Sequence, residues 1–346
     1  MSIRRIVVCE AQVPFVRGGA EYLVRSLIDA LRERGYEAEL VSVPFKWYPK
    51  RELMAHAAAW RLLDLSESNG RSIDLAIVTK FPTYFLRHPN KVAWVMHQYR
   101  AAYELCGTTF SEFQHQEEDV GLRETVIHQD REMLDECRRV FTISRNTANR
   151  LAVFNGLDHA PLYPPSPFTG RLESGPYEDY ILSVGRLETV KRPDLAVRAM
   201  QHVDRPVKLV VAGTGAARRD TEALAESLGL SDRIEFRGAV AEEELLRLYR
   251  HALGVVYTPF DEDYGYVTLE AFLSRKPVVT VTDAGGPLEF VEDGVNGRIC
   301  EPLPEAIADA VNQLAADRRR TADFGAAGYE RVRTITWDAV IDRLLA

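Results

Sequence analysis

The chain has 346 residues, 43 Lys and Arg against 51 Asp and Glu, a formal net charge of −8, 46% hydrophobic and 27% charged residues. That length accommodates two domains with ample cores, and the acidic balance argues against nucleic acid as a partner. Four scattered cysteines (Cys9, Cys106, Cys137, Cys300) without a C-x-x-C pair argue against a zinc site and a disulfide framework.

The N-terminus, MSIRRIVVCEAQ, has an apolar run only from Ile6 to Cys9, too short for a signal peptide, and no run reaches membrane-span length. The expected location is therefore cytoplasmic. RRIVVCE reads as a buried first strand, followed by a loop with a Gly-Gly pair and the amphipathic helix EYLVRSLIDALRERG, ended by Gly35. YEAELVSV is a second strand, KRELMAHAAAWRLLDLSE a helix, IDLAIVTK a third strand and KVAWVMH a fourth. Tyr103 to Arg139 is polar and mostly helical by pattern. RRVFTIS is a further strand, and Ser144 is placed to cap a helix running to about Phe154.

HAPLYPPSPFTGRLESGP, from His159 to Pro176, holds five prolines and two glycines, so it reads as a linker and domain boundary. Beyond it the alternation restarts: YILSVGRL, VKLVVAGTG, RIEFRG, LGVVYTP and PVVTVTDAGG as strands, with RPDLAVRAMQHV, TEALAESLG, EEELLRLYRHA, VTLEAFLSR and EAIADAVNQLAAD as helices. Repeated β-α units with short loops imply parallel sheets covered by helices on both faces. Two such sets joined by a linker imply two Rossmann-like α/β domains facing a cleft.

The segment DEDYGYVTLEAF, Asp261 to Phe272, carries Glu262 and Glu270 eight residues apart. On one helix they would stand about 12 Å apart along the axis and about 80° around it, too far for a close acid/base dyad. Taken alone they read equally as two solvated carboxylates. The context adds a strand before them and a loop glycine, Gly265, so Glu262 falls in the loop and Glu270 about a turn inside the helix. The amides near Gly265, Tyr266 and Val267 then form a helix N-terminus, which favours anions. A sugar nucleotide fits this layout: diphosphate at the helix start, one carboxylate on the sugar hydroxyls, the other on the ribose. Arg186 and Lys191, in SVGRLETVKRPD, leave a strand end where they can neutralise a diphosphate; their bland reading is two solvated cations. In RGGAE, residues 17–21, Gly18 and Gly19 permit close backbone approach to phosphate, or form a plain turn, and the G-x-G-x-x-G dinucleotide fingerprint is not met. His97 ends a buried strand, as a packed polar residue or a site residue.

Taken in order, RGGAE, the strand-end His97, SVGRL with Lys191, VAGTG, FRG, EDYGYVTLE and GGPLEFVEDGVNGRI resemble glycosyltransferase family 4 over nearly the whole length. The resemblance implies the GT-B fold and retaining transfer of a sugar from a UDP- or GDP-sugar to an acceptor hydroxyl, in bacterial polysaccharide or glycoconjugate synthesis. It implies that Arg186 and Lys191 bind the donor diphosphate, with Gly19 and the amides of Tyr266 and Val267. Glu270 would hold the ribose, Glu262 the hydroxyls of the transferred sugar, His97 would lie beside that sugar, and the base would lie near Arg237 and Gly238. Many relatives have Asp after the strand-end His; here it is Gln98. The implied domains are 1–165 for the acceptor and 166–334 for the nucleotide sugar, with the tail 335–346 crossing back to the first.

Two cations and a helix N-terminus leave no need for a metal ion, and the D-x-D letters at 261–263 have a better use in the loop. With no obvious nucleophile, front-face attack, the departing phosphate oxygen taking the acceptor's proton, suits the cleft. Domain closure on the donor is expected. In PFKWYPKRELMAHAAAWRLL, Lys46, Lys50, Arg51 and Arg61 lie among Trp47, Tyr48 and Trp60, suiting a sugar or lipid-linked acceptor and peripheral contact at the inner membrane, or an ordinary amphipathic helix with its loop. A nucleotide-sugar epimerase or hydrolase on the same scaffold, and a non-catalytic nucleotide-sugar sensor, remain competing classes.

Overall fold

A computed structural model describes residues 3–16 and 18–346. Arg17 of the RGGAE loop and the first two residues lie outside the described residues. The chain divides into two compact units, Met1–Pro167 with Thr336–Ala346, and Phe168–Ile335.

The first unit is built on β1 (Arg5–Gln12), α1 (Gly19–Glu33), β2 (Glu37–Pro44), α2 (Glu52–Leu62), a two-residue hairpin of β3 (Glu67–Ser68) and β4 (Arg71–Ser72), β5 (Leu75–Val78), β6 (Lys91–Val95), α3 (Glu117–Asp135), β7 (Arg139–Thr142) and α4 (Arg145–Asn155). Its five-stranded sheet runs β2-β1-β5-β6-β7, all parallel. Apolar side chains on both faces explain the unbroken runs: every residue of β5 and β6 is buried. The Ser144 hydroxyl accepts the Thr147 amide at 2.9 Å and starts α4, while Gly156 in the left-handed region ends it. The C-terminal helix Trp337–Leu345 packs here, with Trp337 edge-on to Trp94 at 6.2 Å.

Three stretches differ from the sequence reading. The second helix stops at Leu62, not near Glu67, because Leu63 is extended and the Asp64 carboxylate accepts the Ser66 amide at 2.9 Å, turning the chain. Asn69 and Gly70, both at positive φ, then form the tip of the β3–β4 hairpin, the turn that an Asn-Gly pair favours. Between Tyr103 and Gln116 the chain is short turns, and only Glu117–Asp135 is long helix.

The second unit contains β8 (Tyr180–Val184), α5 (Pro193–Ala199), β9 (Lys208–Ala212), α6 (Arg218–Ser227), β10 (Ile234–Gly238), α7 (Glu242–His251), β11 (Gly254–Val256), α8 (Tyr266–Leu273), β12 (Val278–Val281), β13 (Gly297–Cys300), α9 (Pro304–Ala316) and α10 (Arg318–Val332). The sequence reading missed β13 and α10. The six-stranded sheet runs β10-β9-β8-β11-β12-β13, again all parallel. Val197, Leu209, Val279, Ile307 and Val311 fill its core, each at 2% exposure or less. Burying each such side chain contributes about 1.5–3 kcal/mol.

The strand order fixes where ligands can bind. β8 is the first strand of its sheet and β11 the fourth, and they are neighbours, so the winding direction reverses between them. At such a switch point the loops leaving the two strand ends diverge and open a crevice. The first unit has the same reversal between β1 and β5.

Candidate active site

Two loops diverge from the β8/β11 reversal. The loop after β8 carries Arg186 and Lys191; the loop after β11 carries Tyr257 through Gly265. Glycines let the β8 and β9 loops meet: a Cβ on Gly213, at φ +144°, would lie 1.9 Å from the Gly185 carbonyl oxygen. The Leu187 amide donates to the Thr214 carbonyl at 2.9 Å, fixing the approach.

Lys191 and Glu262, 71 residues apart in sequence, are brought together. The Lys191 ammonium forms an ion pair with Glu262 Oε2, at side-chain exposures of 20% and 14%. The Tyr257 hydroxyl donates to the same oxygen at 2.9 Å. Burial, then the Glu262 charge, push the Tyr257 phenol well above its usual range, so it remains a donor. Arg186 stands apart, more exposed, with its guanidinium 2.7 Å from Glu188 Oε1.

Glu262 is held on its backbone as well. Its amide donates to the Ala284 carbonyl at 2.8 Å, and its carbonyl accepts the Gly286 amide at 2.7 Å. Three residues on, Gly265 at φ +86° starts α8. A Cβ there would sit 3.0 Å from Pro287 Cγ and Tyr257 Cε1, so both conformation and space require glycine. No side chain caps this end of α8, which leaves the first amides, at Tyr266 and Val267, without a side-chain acceptor. Glu270 is one turn further, 5% exposed, and its Oε2 accepts the Tyr249 hydroxyl of α7 at 2.8 Å. The two glutamates are therefore separately anchored: one to the β8 loop and Tyr257, the other to α7. Arg237, at the end of β10, pairs with Glu235 at 2.9 Å.

In the first unit, Gly18 is the residue before α1, and its amide donates to Glu21 Oε2 at 2.8 Å. Glu21 Oε1 accepts the Lys80 ammonium at 3.1 Å, a pair that sequence reasoning missed. Glu10, on β1, has its carboxyl raised by burial, against the pull of the Lys80 charge. These groups collect where β1 and β5 reverse the winding. His97 follows β6, and its Nδ1 lies 2.7 Å from the Gln98 carbonyl; that acceptor puts a proton on Nδ1. The Gln98 side chain is fully buried, and neither of its polar atoms has a hydrogen-bond partner among the described residues.

A separate cavity of about 780 Å³ in the same unit is lined by Trp47, Tyr48, Pro49, Lys50, Arg51 and Glu112. Lys46 Nζ lies 4.9 Å over the Tyr48 ring, and Lys50 pairs with Asp119 at 2.6 Å. Trp60 and Arg61 do not join this surface, contrary to the sequence reading. Leu53, Ala57 and Trp60 share the inward face of α2, with Trp60 at 1% exposure, and Arg61 forms a two-point pair with Glu136 at 2.7 Å.

Among the described residues no helix is long and apolar enough to cross a membrane, and no three His, Cys, Asp or Glu are grouped to hold a metal ion.

Comparison with known proteins adds a family match, a curated relative and two solved structures. The family model described as "Glycosyl transferases group 1" matches residues 171–331. A D-inositol 3-phosphate glycosyltransferase of Xylanimonas cellulosilytica is 35% identical over 48% of this chain and 40% of its own length. The chain spans about half the length of the curated relatives it matches. Among solved structures, sucrose-phosphate synthase from Thermosynechococcus elongatus superposes with a TM-score of 0.78 at 18% identity, covering 98% of this chain and 97% of that one. HepE of Anabaena, in complex with UDP and glucose, superposes with a TM-score of 0.72 at 16% identity, covering 99% of each chain. At these identities the likeness speaks to the fold: GT-B, with two Rossmann-like parallel α/β units.

Proposed function

The chain belongs, through residues 171–331, to the glycosyl transferases group 1 family, and from that premise we propose that it is a retaining glycosyltransferase. It moves a sugar from a nucleoside diphosphate sugar to the hydroxyl of a sugar or lipid-linked acceptor. UDP is the favoured nucleotide, since the structure of HepE, similar in fold, was solved with UDP and glucose. The observation that carries the reading is the cluster at the β8/β11 reversal: a lysine paired to a loop carboxylate, three residues upstream of a helix N-terminus that no side chain caps.

In this reading the diphosphate lies against Arg186, Lys191 and the amides of Tyr266 and Val267. Glu270, steadied by Tyr249, takes the ribose hydroxyls, and the base lies toward Arg237. Glu262 takes hydroxyls of the transferred sugar.

The bond from the anomeric carbon to the phosphate oxygen breaks as the acceptor oxygen bonds to that carbon on the same face. The acceptor's proton passes to the departing phosphate oxygen, so no separate base is required. Negative charge grows on the diphosphate as it leaves, and the two cations and the helix N-terminus offset it. Oriented charges and amides stabilise a transition state more than water can.

A thermal-shift screen of UDP- and GDP-sugars, each with and without EDTA, tests the donor assignment. One donor class should raise Tm with the chelator present, and Arg186→Ala, Lys191→Ala and Glu262→Ala should then lose turnover of that donor. If no nucleotide sugar stabilises the protein, or the three variants turn over at the wild-type rate, the reading is wrong.

A further inference from the structure

We propose that Arg192 and Asp283 are positioning residues for the reaction: a clamp that sets Lys191 and Glu262 against each other. The inference rests on the donor-site reading above.

Arg192 directly follows Lys191 and occupies the left-handed region, φ 49° and ψ 52°. Glycine adopts that conformation freely and arginine does so at a cost, so the side chain is what the position gains. The guanidinium uses its fork on two separate segments. Nε donates to the Thr258 carbonyl at 2.9 Å and Nη2 to the Pro259 carbonyl at 2.6 Å, both in the loop after β11. Nη1 and Nη2 donate to the two Asp283 oxygens, at 2.9 and 2.5 Å, in the loop after β12. Four of the five N–H groups are thereby used. The Arg192 side chain is 16% exposed and that of Asp283 35%, so the pair is partly withdrawn from water.

The backbone carries the clamp on to the paired residues. The Phe260 amide donates to the Val190 carbonyl at 2.8 Å, the Asp261 amide to the Asp283 carbonyl at 2.8 Å, and the Glu262 amide to the Ala284 carbonyl at 2.8 Å. Lys191 therefore sits next to one end of the clamp and Glu262 next to the other. Three loops that leave three different strands hold one register because this side chain spans them together with these backbone bonds. A bidentate arginine suits this task, since its planar fork fixes direction as well as distance. With its charge opposed by Asp283 and its donors occupied, Arg192 does not act as a third diphosphate cation.

The test compares wild type with Arg192→Gly, Arg192→Lys, Asp283→Asn, the Arg192→Gly/Asp283→Asn double variant and Lys191→Ala. Melting temperature checks folding, calorimetry measures binding of UDP and of GDP, and kcat and KM are read on the donor that stabilises wild type. Arg192→Gly should melt near wild type, because it relieves the left-handed backbone as it removes the clamp. It should nonetheless lose tenfold or more in kcat, with a smaller change in KM. Asp283→Asn should lose similarly, Arg192→Lys should recover part of the loss, and the double variant should be no worse than either single one.

Wild-type kcat in Arg192→Gly and Asp283→Asn would overturn the clamp. So would tighter UDP binding in Asp283→Asn beside weaker binding in Arg192→Gly, the pattern of a direct phosphate cation. Failure of the donor-site reading itself looks different: wild type binds neither nucleotide, or Lys191→Ala binds as wild type does.

Discussion

Replacing Glu262 by Gln should tighten nucleotide binding while it slows turnover. Lys191 has an anionic partner in Glu262, so on the proposed reading an incoming diphosphate would share the ammonium with a carboxylate that repels it. Gln keeps the side-chain size and an acceptor for the Tyr257 hydroxyl, which lies 2.9 Å from Glu262 Oε2. Only the charge is lost. One charge about 6 Å from a phosphate is worth about 0.7 kcal/mol at the dielectric constant of water and about 3 kcal/mol at an effective constant of about 20. At side-chain exposures of 20% and 14% the site falls between those limits. A gain of about 1 kcal/mol, roughly fivefold in Kd, is expected for UDP, and high salt should shrink it. Turnover should fall by about 100-fold, the scale of losing one preorganised polar contact in a transition state. Isothermal calorimetry with UDP at low and high salt, paired with steady-state rates, reads both effects. If Glu262→Gln binds UDP no better than wild type, Glu262 does not compete for the Lys191 charge and the electrostatic argument fails.

Tyr249→Phe removes a charge-assisted hydrogen bond to the buried Glu270 carboxylate. It should cost about 2 kcal/mol, or about 4–8 °C in Tm, and weaken nucleotide binding; an unmoved Tm would show that the bond contributes nothing. Asp130, fully buried, has its pKa raised from 3.8 to about 7 by burial, despite the Tyr103 hydroxyl donating to it at 2.7 Å. The unfolded carboxyl ionises near 3.8 and the folded one near 7, so the folded state holds the extra proton and wild-type stability falls as pH rises through that window. Relative to Asp130→Asn, wild type should lose up to about 4 kcal/mol between pH 4 and pH 8, read from denaturant unfolding at stepped pH; parallel curves would refute it.

The sequence made the sheets legible because each strand is buried on both faces and so reads as an unbroken apolar run, as in LAIV of β5 and VVTV of β12. Local polar signals carried equally well: Ser144 before α4, Gly265 before α8. The Asn69-Gly70 turn was also present as a signal, but it lies among polar residues with no flanking alternation to mark two strands. α10 begins with three arginines and carries Gly325 and Gly328 inside it, which weakens its pattern. The glycines have a packing reason: a Cβ on Gly328 would lie 2.2 Å from the Phe272 ring. What the sequence could not reveal were partners distant along the chain. Lys80 and Glu21 are 59 residues apart, Arg192 and Asp283 are 91 apart, and Tyr249 reads as one more core residue of an amphipathic helix. Only the strand order brings these residues together.

That order also explains why the two glutamates stand eight residues apart. In a parallel sheet every strand end points to the same edge, and every following helix begins there, so amide groups collect along it. On the proposed reading, a ligand lying across the end of β11 would meet first the loop and then the helix. The first carboxylate must therefore precede the turn into the helix, and the second must follow it. Glu262 lies before Gly265 and faces the cation delivered from β8; Glu270 lies one helical turn beyond and faces α7. Between Glu262 and Glu270 the chain reverses at Gly265, in the left-handed region, and completes the first turn of α8.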